Sequence, residues 1–282
     1  MTSLGRVTVR ESVAFHEVDG LPLLCDVYEP PEERRNGVGV LLLHGGSWQN
    51  GDRTQLKGYG ILLGREGYTC VASEYRLLPD HGWPAQIHDV KAALRWMRAN
   101  ADDLGIEADR IAVEGNSAGA HLALLLAGTA GMEELAGTGN LGVSEEVAAV
   151  MAVYAPTVLT IPTGRALTEG GELMLRSFGE GEEGRRNAEL ASPLTHAGPS
   201  FPPTLLIHGT ADTIVPHRSS ELMYEALTAA GVAVDLHLIA GQPHAFDAQP
   251  AFGRLCAAEM LVFLSRYVPA RPKADRPVRG GV

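Results

Sequence analysis

The chain has 282 residues, 45% of them hydrophobic and 20% charged, the make-up of a globular protein with a sizeable core rather than a disordered or fibrous one. With 34 acidic against 23 basic residues, the formal net charge of −11 argues against nucleic acid or an anionic membrane as a partner. No run of about 18 apolar residues is present, so no membrane span is expected. The first ten residues lack an apolar stretch, so no signal peptide is expected either. Cys25, Cys70 and Cys256 are odd in number, widely spaced and in apolar settings. They read as buried reduced thiols of a cytoplasmic protein, neither a disulfide framework nor a metal site.

In chain order, residues 7–28 alternate weakly about Asp19-Gly20, which predicts antiparallel strands over Val7–Phe15 and Leu21–Tyr28. Pro30-Pro31 and a charged stretch to Asn36 form a loop. Val38–Leu43 is continuously apolar, as a strand buried on both faces should be. His44-Gly45-Gly46-Ser47-Trp48 follows it, then a helical stretch to about Glu66 and a strand over Tyr68–Tyr75. Leu77–Trp83 is a loop with Pro84 at a helix start, and Ile87, Val90, Leu94 and Met97 lay one apolar helix face on the sheet. Strand 110–114 leads to Gly115-Asn116-Ser117-Ala118-Gly119, and a helix runs through His121–Ala127. Met132–Val143 is Gly-rich loop, and Val147–Tyr154 is another buried strand. Thr157–Pro203 has poor periodicity and reads as an insertion with one or two short helices, a partial lid. Thr204–His208 resumes the sheet, Arg218–Ala230 is a helix stopped by Gly231, Val232–Ile239 the last strand, and Phe252–Tyr267 the last helix. Strands alternating with helices imply a mostly parallel sheet covered on both faces. The expected organisation is one domain over residues 1–268, with the insertion at 157–203 and a flexible Pro/Arg-rich tail at 269–282.

The chemistry starts at Gly115-x-Ser117-x-Gly119. A serine on a sharp strand-to-helix turn needs neighbours without Cβ atoms, and here the pattern has an apolar strand before it and a helix after it. The helix N-terminus favours negative charge developing at the serine, so Ser117 is the candidate nucleophile. A hydroxyl needs a base and the base an orienting acid. In this architecture both belong on loops at the carboxyl ends of strands. Asp212 lies in such a loop after strand 204–208, and His244 in another after the last strand. Alternatives are weaker: His237 lies inside a strand, His208 stands before the acid, Asp235 begins a strand, and Asp247 is too close to His244. Asp212 also suits a turn by itself, but Ser117, Asp212 and His244 together follow the Ser…Asp…His order. No His, Cys or Asp cluster has metal-ligand spacing, so neither metal nor cofactor is expected.

Together the His44-Gly-Gly-Ser-Trp48 loop, the Gly-Asn-Ser-Ala-Gly elbow, Gly209-Thr-Ala-Asp212 and Pro243-His-Ala-Phe246 resemble the α/β-hydrolase carboxylesterases. The resemblance runs over residues 15–267 and is to the branches of hormone-sensitive lipase and the bifunctional feruloyl/acetylxylan esterases. Tyr75-Arg76-Leu77, Pro84-Ala85-Gln86 and Asp89 match that branch as well. Ser47, where the lipase group usually has a third Gly, and Ala211-Asp212-Thr213, where it has an Asp-Pro pair, shift the likeness toward the feruloyl/acetyl branch. The resemblance implies an α/β-hydrolase fold and an oxyanion hole from the amides of Gly46, Ser47 and Ala118, with Gly45 shaping the turn. Trp48 and Gly45 are candidate substrate contacts. The expected activity is hydrolysis of small-molecule carboxylic esters with short acyl or compact aryl groups, through an acyl-enzyme. The alternatives are an arylformamidase of the kynurenine formamidase type and a non-catalytic ligand receptor; His244 speaks against the latter. A homodimer is compatible with the sequence.

Overall fold

The computed structural model describes residues 5–159 and 169–270. Strands β1 (Thr8–Val18) and β2 (Leu21–Glu29) form a hairpin. Asp19 and Gly20 at its tip have φ values of 52° and 81°, the left-handed pair that a tight hairpin turn requires. The weak alternation in β1 has a physical cause. Its register against β2 slips between Arg10 and Val13 and again between Ala14 and His16. Each slip is a bulge that turns later side chains to the other face.

The remaining strands are β3 (Gly39–Leu43), β4 (Thr69–Ser73), β5 (Ile111–Asn116), β6 (Ala149–Val153), β7 (Thr204–Gly209) and β8 (Val234–Ile239). They form one eight-stranded sheet in the order β1-β2-β4-β3-β5-β6-β7-β8. β1, β2 and β4 pair antiparallel, and every pair from β4 to β8 is parallel. The central strands β3 to β7 are buried along their whole length, which explains the continuous apolar sequence of β3 and β6 and the mainly apolar sequence of the others.

Because side chains alternate across a strand, the sheet carries two cores. Leu41, Leu43, Val113 and Val150 face α2 (Ala85–Ala99), α4 (Ala118–Gly128) and α7 (Arg218–Ala229). Val40, Leu42, Ala112 and Met151 face α1 (Lys57–Arg65) and α8 (Pro250–Tyr267). A short α3 (Ala101–Leu104) follows α2. In α4 every residue from Ala118 to Ala127 is buried, as expected of a helix apolar all round.

Helix α2 differs from the one-sided helix expected. Lys91 and Arg95 are buried as well, both paired with Glu145. Lys91 Nζ also donates to the carbonyl of Thr129 at 2.6 Å. Two cations leave water here because Glu145 and backbone carbonyls meet them, and so the loop between α4 and β6 is pinned to α2. Within the insertion lie α5 (Glu169–Ser177) and α6 (Gly181–Leu190), in line with the short helices expected. Residues 160–168 of the insertion and 271–282 of the tail lie outside the described residues.

Candidate active site

β5 ends at Asn116 and α4 begins at Ala118, so Ser117 alone makes the turn between them. Its φ of 54° and ψ of −116° place a non-glycine residue in strained backbone, held by its N–H bond to the Val153 carbonyl at 2.9 Å. The flanking glycines are fixed by sterics. A Cβ on Gly115 would lie 2.3 Å from the Gly119 carbonyl oxygen, and one on Gly119 2.0 Å from that of Leu43. No side chain fits between the elbow and β3.

Ser117 Oγ lies 2.9 Å from His244 Nε2, and His244 Nδ1 lies 2.6 Å from Asp212 Oδ2. The loops after β5, β7 and β8 therefore bring all three candidate residues together. Asp212 Oδ1 accepts from the amides of Ile214 and Val215, both at 2.9 Å. Burial works against the charge on Asp212. Hydrogen bonds from His208 and His244, with the Val215 amide, outweigh it and hold the carboxyl well below the usual range. An ionised Asp212 only accepts, so His244 carries its proton on Nδ1 and turns an acceptor Nε2 toward the serine. His208, the weaker candidate, lies 3.3 Å from Asp212 Oδ2 through its Nε2 and also bonds Ser220 Oγ at 2.7 Å and the Val215 carbonyl at 3.0 Å, shaping the acid loop.

On the other side of Ser117 stands the loop after β3. Gly46, Ser47 and Trp48 all have positive φ, and the amides of Gln49 and Asn50 both return to the Gly46 carbonyl. This tight loop brings Gly45 against the elbow: a Cβ there would meet Asn116 O at 3.0 Å. Trp48 is buried and its indole N–H donates to His121 Nδ1 at 3.2 Å. His121 Nε2 in turn meets the Ala191 carbonyl at 2.7 Å. Burial lowers the His121 pKa to about 4, so the ring stays neutral and ties the loop to α4 and to the insertion.

Sequence reasoning missed a second set of polar groups beneath the site. Asp247 Oδ2 accepts from Tyr59 Oη at 2.8 Å and Asn116 Nδ2 at 2.6 Å. Its Oδ1 accepts from Tyr154 Oη at 2.5 Å. The Tyr154 ring lies 4.6 Å from the imidazole of His244. Asp247 follows His244 by three residues, too close in sequence to serve as its orienting acid, and no spacing signal points to these partners.

Two cavities meet at Ser117. One of about 270 Å³ is lined by Trp48, Ala118, Leu159, Met174 and Val215. The other, about 1030 Å³, takes in His244 and runs between α1 and α8. Trp48 thus lines the smaller cavity and Gly45 the larger. Helix α5 touches the β3 loop directly, since a Cβ on Gly170 would lie 2.1 Å from the Ser47 carbonyl oxygen. Among the described residues no group of three His, Cys, Asp or Glu is placed to hold a metal ion. Nor is any helix among them long and apolar enough to cross a membrane.

A mixed sheet of this order, with a serine, an aspartate and a histidine in register after β5, β7 and β8, defines an α/β-hydrolase fold. The chain belongs to the BD-FAE family, which matches residues 25–227. It is 32% identical over 233 residues to Esterase LipC of Mycobacterium tuberculosis, covering 79% of this chain and 57% of that protein. To Ethyl acetate hydrolase of Pseudomonas putida it is 28% identical over 232 residues, covering 81% of this chain and 72% of that one. The chain thus spans less than three-fifths of its mycobacterial relative's length. Among solved structures, the propionate-bound esterase Est2 of Thermogutta terrifontis superposes with a TM-score of 0.80 at 24% identity, covering 96% of this chain and 98% of that one.

Proposed function

We propose that the protein is a serine hydrolase of small carboxylic esters with short acyl groups, working through an acyl-enzyme without metal or cofactor. The observation that carries the reading is the unbroken relay from Ser117 Oγ through His244 to Asp212 at a strained elbow. Ser117 Oγ forms a bond to the acyl carbon as its proton passes to His244 Nε2. The amides of Gly46, Ser47 and Ala118 take the oxyanion. The C–O bond to the alcohol then breaks, and His244 returns the proton to the leaving oxygen. Water repeats the sequence: its hydroxyl goes to the acyl carbon, and its proton returns through His244 to Ser117. Asp212 keeps the imidazole oriented and stabilises its cation.

The leaving oxygen must lie where His244 can protonate it, and His244 lines the large cavity but not the small one. The alcohol therefore occupies the large cavity and the acyl group the small one. At about 270 Å³, lined by Trp48 and Met174, the small cavity suits a short acyl chain. Membership of the BD-FAE family and likeness to an ethyl acetate hydrolase support the same reading. Ser117→Ala tests it. Hydrolysis of p-nitrophenyl acetate should fall by about 10⁴-fold or more with the fold intact by circular dichroism. A variant keeping a substantial fraction of the wild-type rate removes Ser117 as the nucleophile.

A further inference from the structure

The large cavity continues from His244 as a groove between α1 and α8. Lys57, Ile61 and Arg65 project into it from α1, and Pro250 and Arg254 from α8. Lys57, Arg65 and Arg254 are exposed, and none has a carboxylate partner within ion-pair distance among the described residues. Elsewhere most arginines are committed: Arg53, Arg76, Arg95 and Arg218 are all paired with acids. The chain as a whole carries 11 more acidic than basic residues, yet among the described residues this groove is lined by three cations against one carboxyl, that of Asp247. That carboxyl is already engaged by Tyr59, Asn116 and Tyr154. Three cations without carboxylate partners among the described residues, along the cavity that opens at Ser117, create a local field that attracts negative charge.

We infer that this groove recognises a carboxylate on the leaving alcohol, making the preferred substrates esters of carboxylate-bearing phenols or alcohols. The inference rests on the ester-hydrolase reading and on the alcohol's lying on the His244 side. The cations are spread along the groove: Arg65 stands eight positions after Lys57, about 12 Å of helix rise. Single charges spaced in this way suit a carboxylate at the end of an apolar stem, and Ile61 and Pro250 line the stem's path. The small cavity offers an acyl group no comparable charge. Among the described residues its one cation, Arg218, is held by Glu221 and Glu225.

The test uses acetates that differ only in the leaving phenol. The compounds are 4-acetoxybenzoate and 4′-acetoxybiphenyl-4-carboxylate, each set against its neutral carboxamide. An exposed ion pair contributes about two- to fivefold, so two or three together should favour a carboxylate by about tenfold in kcat/KM at one length or both, carried by KM. Because such pairs are screened, the ratio should shrink toward one at about 0.5 M NaCl. It should collapse likewise in the combined variant Lys57→Gln, Arg65→Gln, Arg254→Gln. Ratios at or below one for both lengths in the wild-type protein overturn the inference. So does a preference that survives the triple substitution. Brisk hydrolysis of the carboxamides in either case leaves the ester-hydrolase reading standing. If no acetate of the four is hydrolysed, that reading fails and the inference fails with it.

Discussion

Asp247 joins the two loops that the chemistry needs. It holds Asn116, the residue before Ser117, and Tyr154, whose ring stands against His244. Asp247→Asn keeps the volume but puts an NH₂ in place of one oxygen, facing either Tyr154 or the pair Tyr59 and Asn116, so at least one donor loses its acceptor. The expected result is a fall of about tenfold in kcat with little change in KM, because elbow and imidazole lose alignment while the cavities stay intact. An unchanged kcat would show Asp247 to be packing alone. The residues legible in the sequence were those bound to a backbone demand. Ser117 needs glycines on both sides, and Asp212 and His244 need loops at strand ends. Asn116, Tyr154 and Asp247 meet from three separate strand ends, and their partnership leaves no local pattern. His121 escaped notice for a similar reason, since a histidine in an apolar helix shows nothing of the Trp48 indole beside it.

Elements were legible wherever burial was uniform. β3, β5 and β7 read directly because both faces are covered, and the helix after the elbow because small and leucine residues fill it. β1 read weakly because of its bulges, and α2 concealed two buried cations whose partner Glu145 lies 54 and 50 residues away. The insertion was the least legible element. Its two short helices are rich in Glu and Gly, and few of their residues are buried. Met174 is an exception, buried at 1% exposure and lining the small cavity. Met174→Ala should lengthen the acyl pocket and move the optimum in a p-nitrophenyl ester series toward longer chains. The same truncation should cost about 2–5 kcal/mol of stability, measured by denaturant unfolding. An optimum that stays at the shortest esters would place the acyl group elsewhere.

For the molecule as a whole, the most consequential buried group outside the relay is Glu114. It sits on the central strand β5, fully buried, on the face covered by α1 and α8, and among the described residues neither carboxyl oxygen has a hydrogen-bond partner. Burial, with the nearby Asp247, pushes its pKa well above the usual carboxyl value, so the folded protein keeps this proton to higher pH than the unfolded chain does. In the unfolded chain the same carboxyl ionises at about pH 4.3. Above that pH the folded state binds a proton that the unfolded state does not, so stability declines as pH rises. The slope is at most about 1.4 kcal/mol per pH unit, and it persists until Glu114 ionises in the folded state. Glu114→Gln keeps the shape and removes the proton linkage. Near about pH 4 the variant should differ from wild type only by a fixed packing term; above about pH 5 it should gain on the wild-type protein until Glu114 ionises in the folded state. Denaturant unfolding at a series of pH values reads this as two diverging curves. Parallel curves would mean that Glu114 titrates alike in both states and that its burial carries no pH-dependent cost.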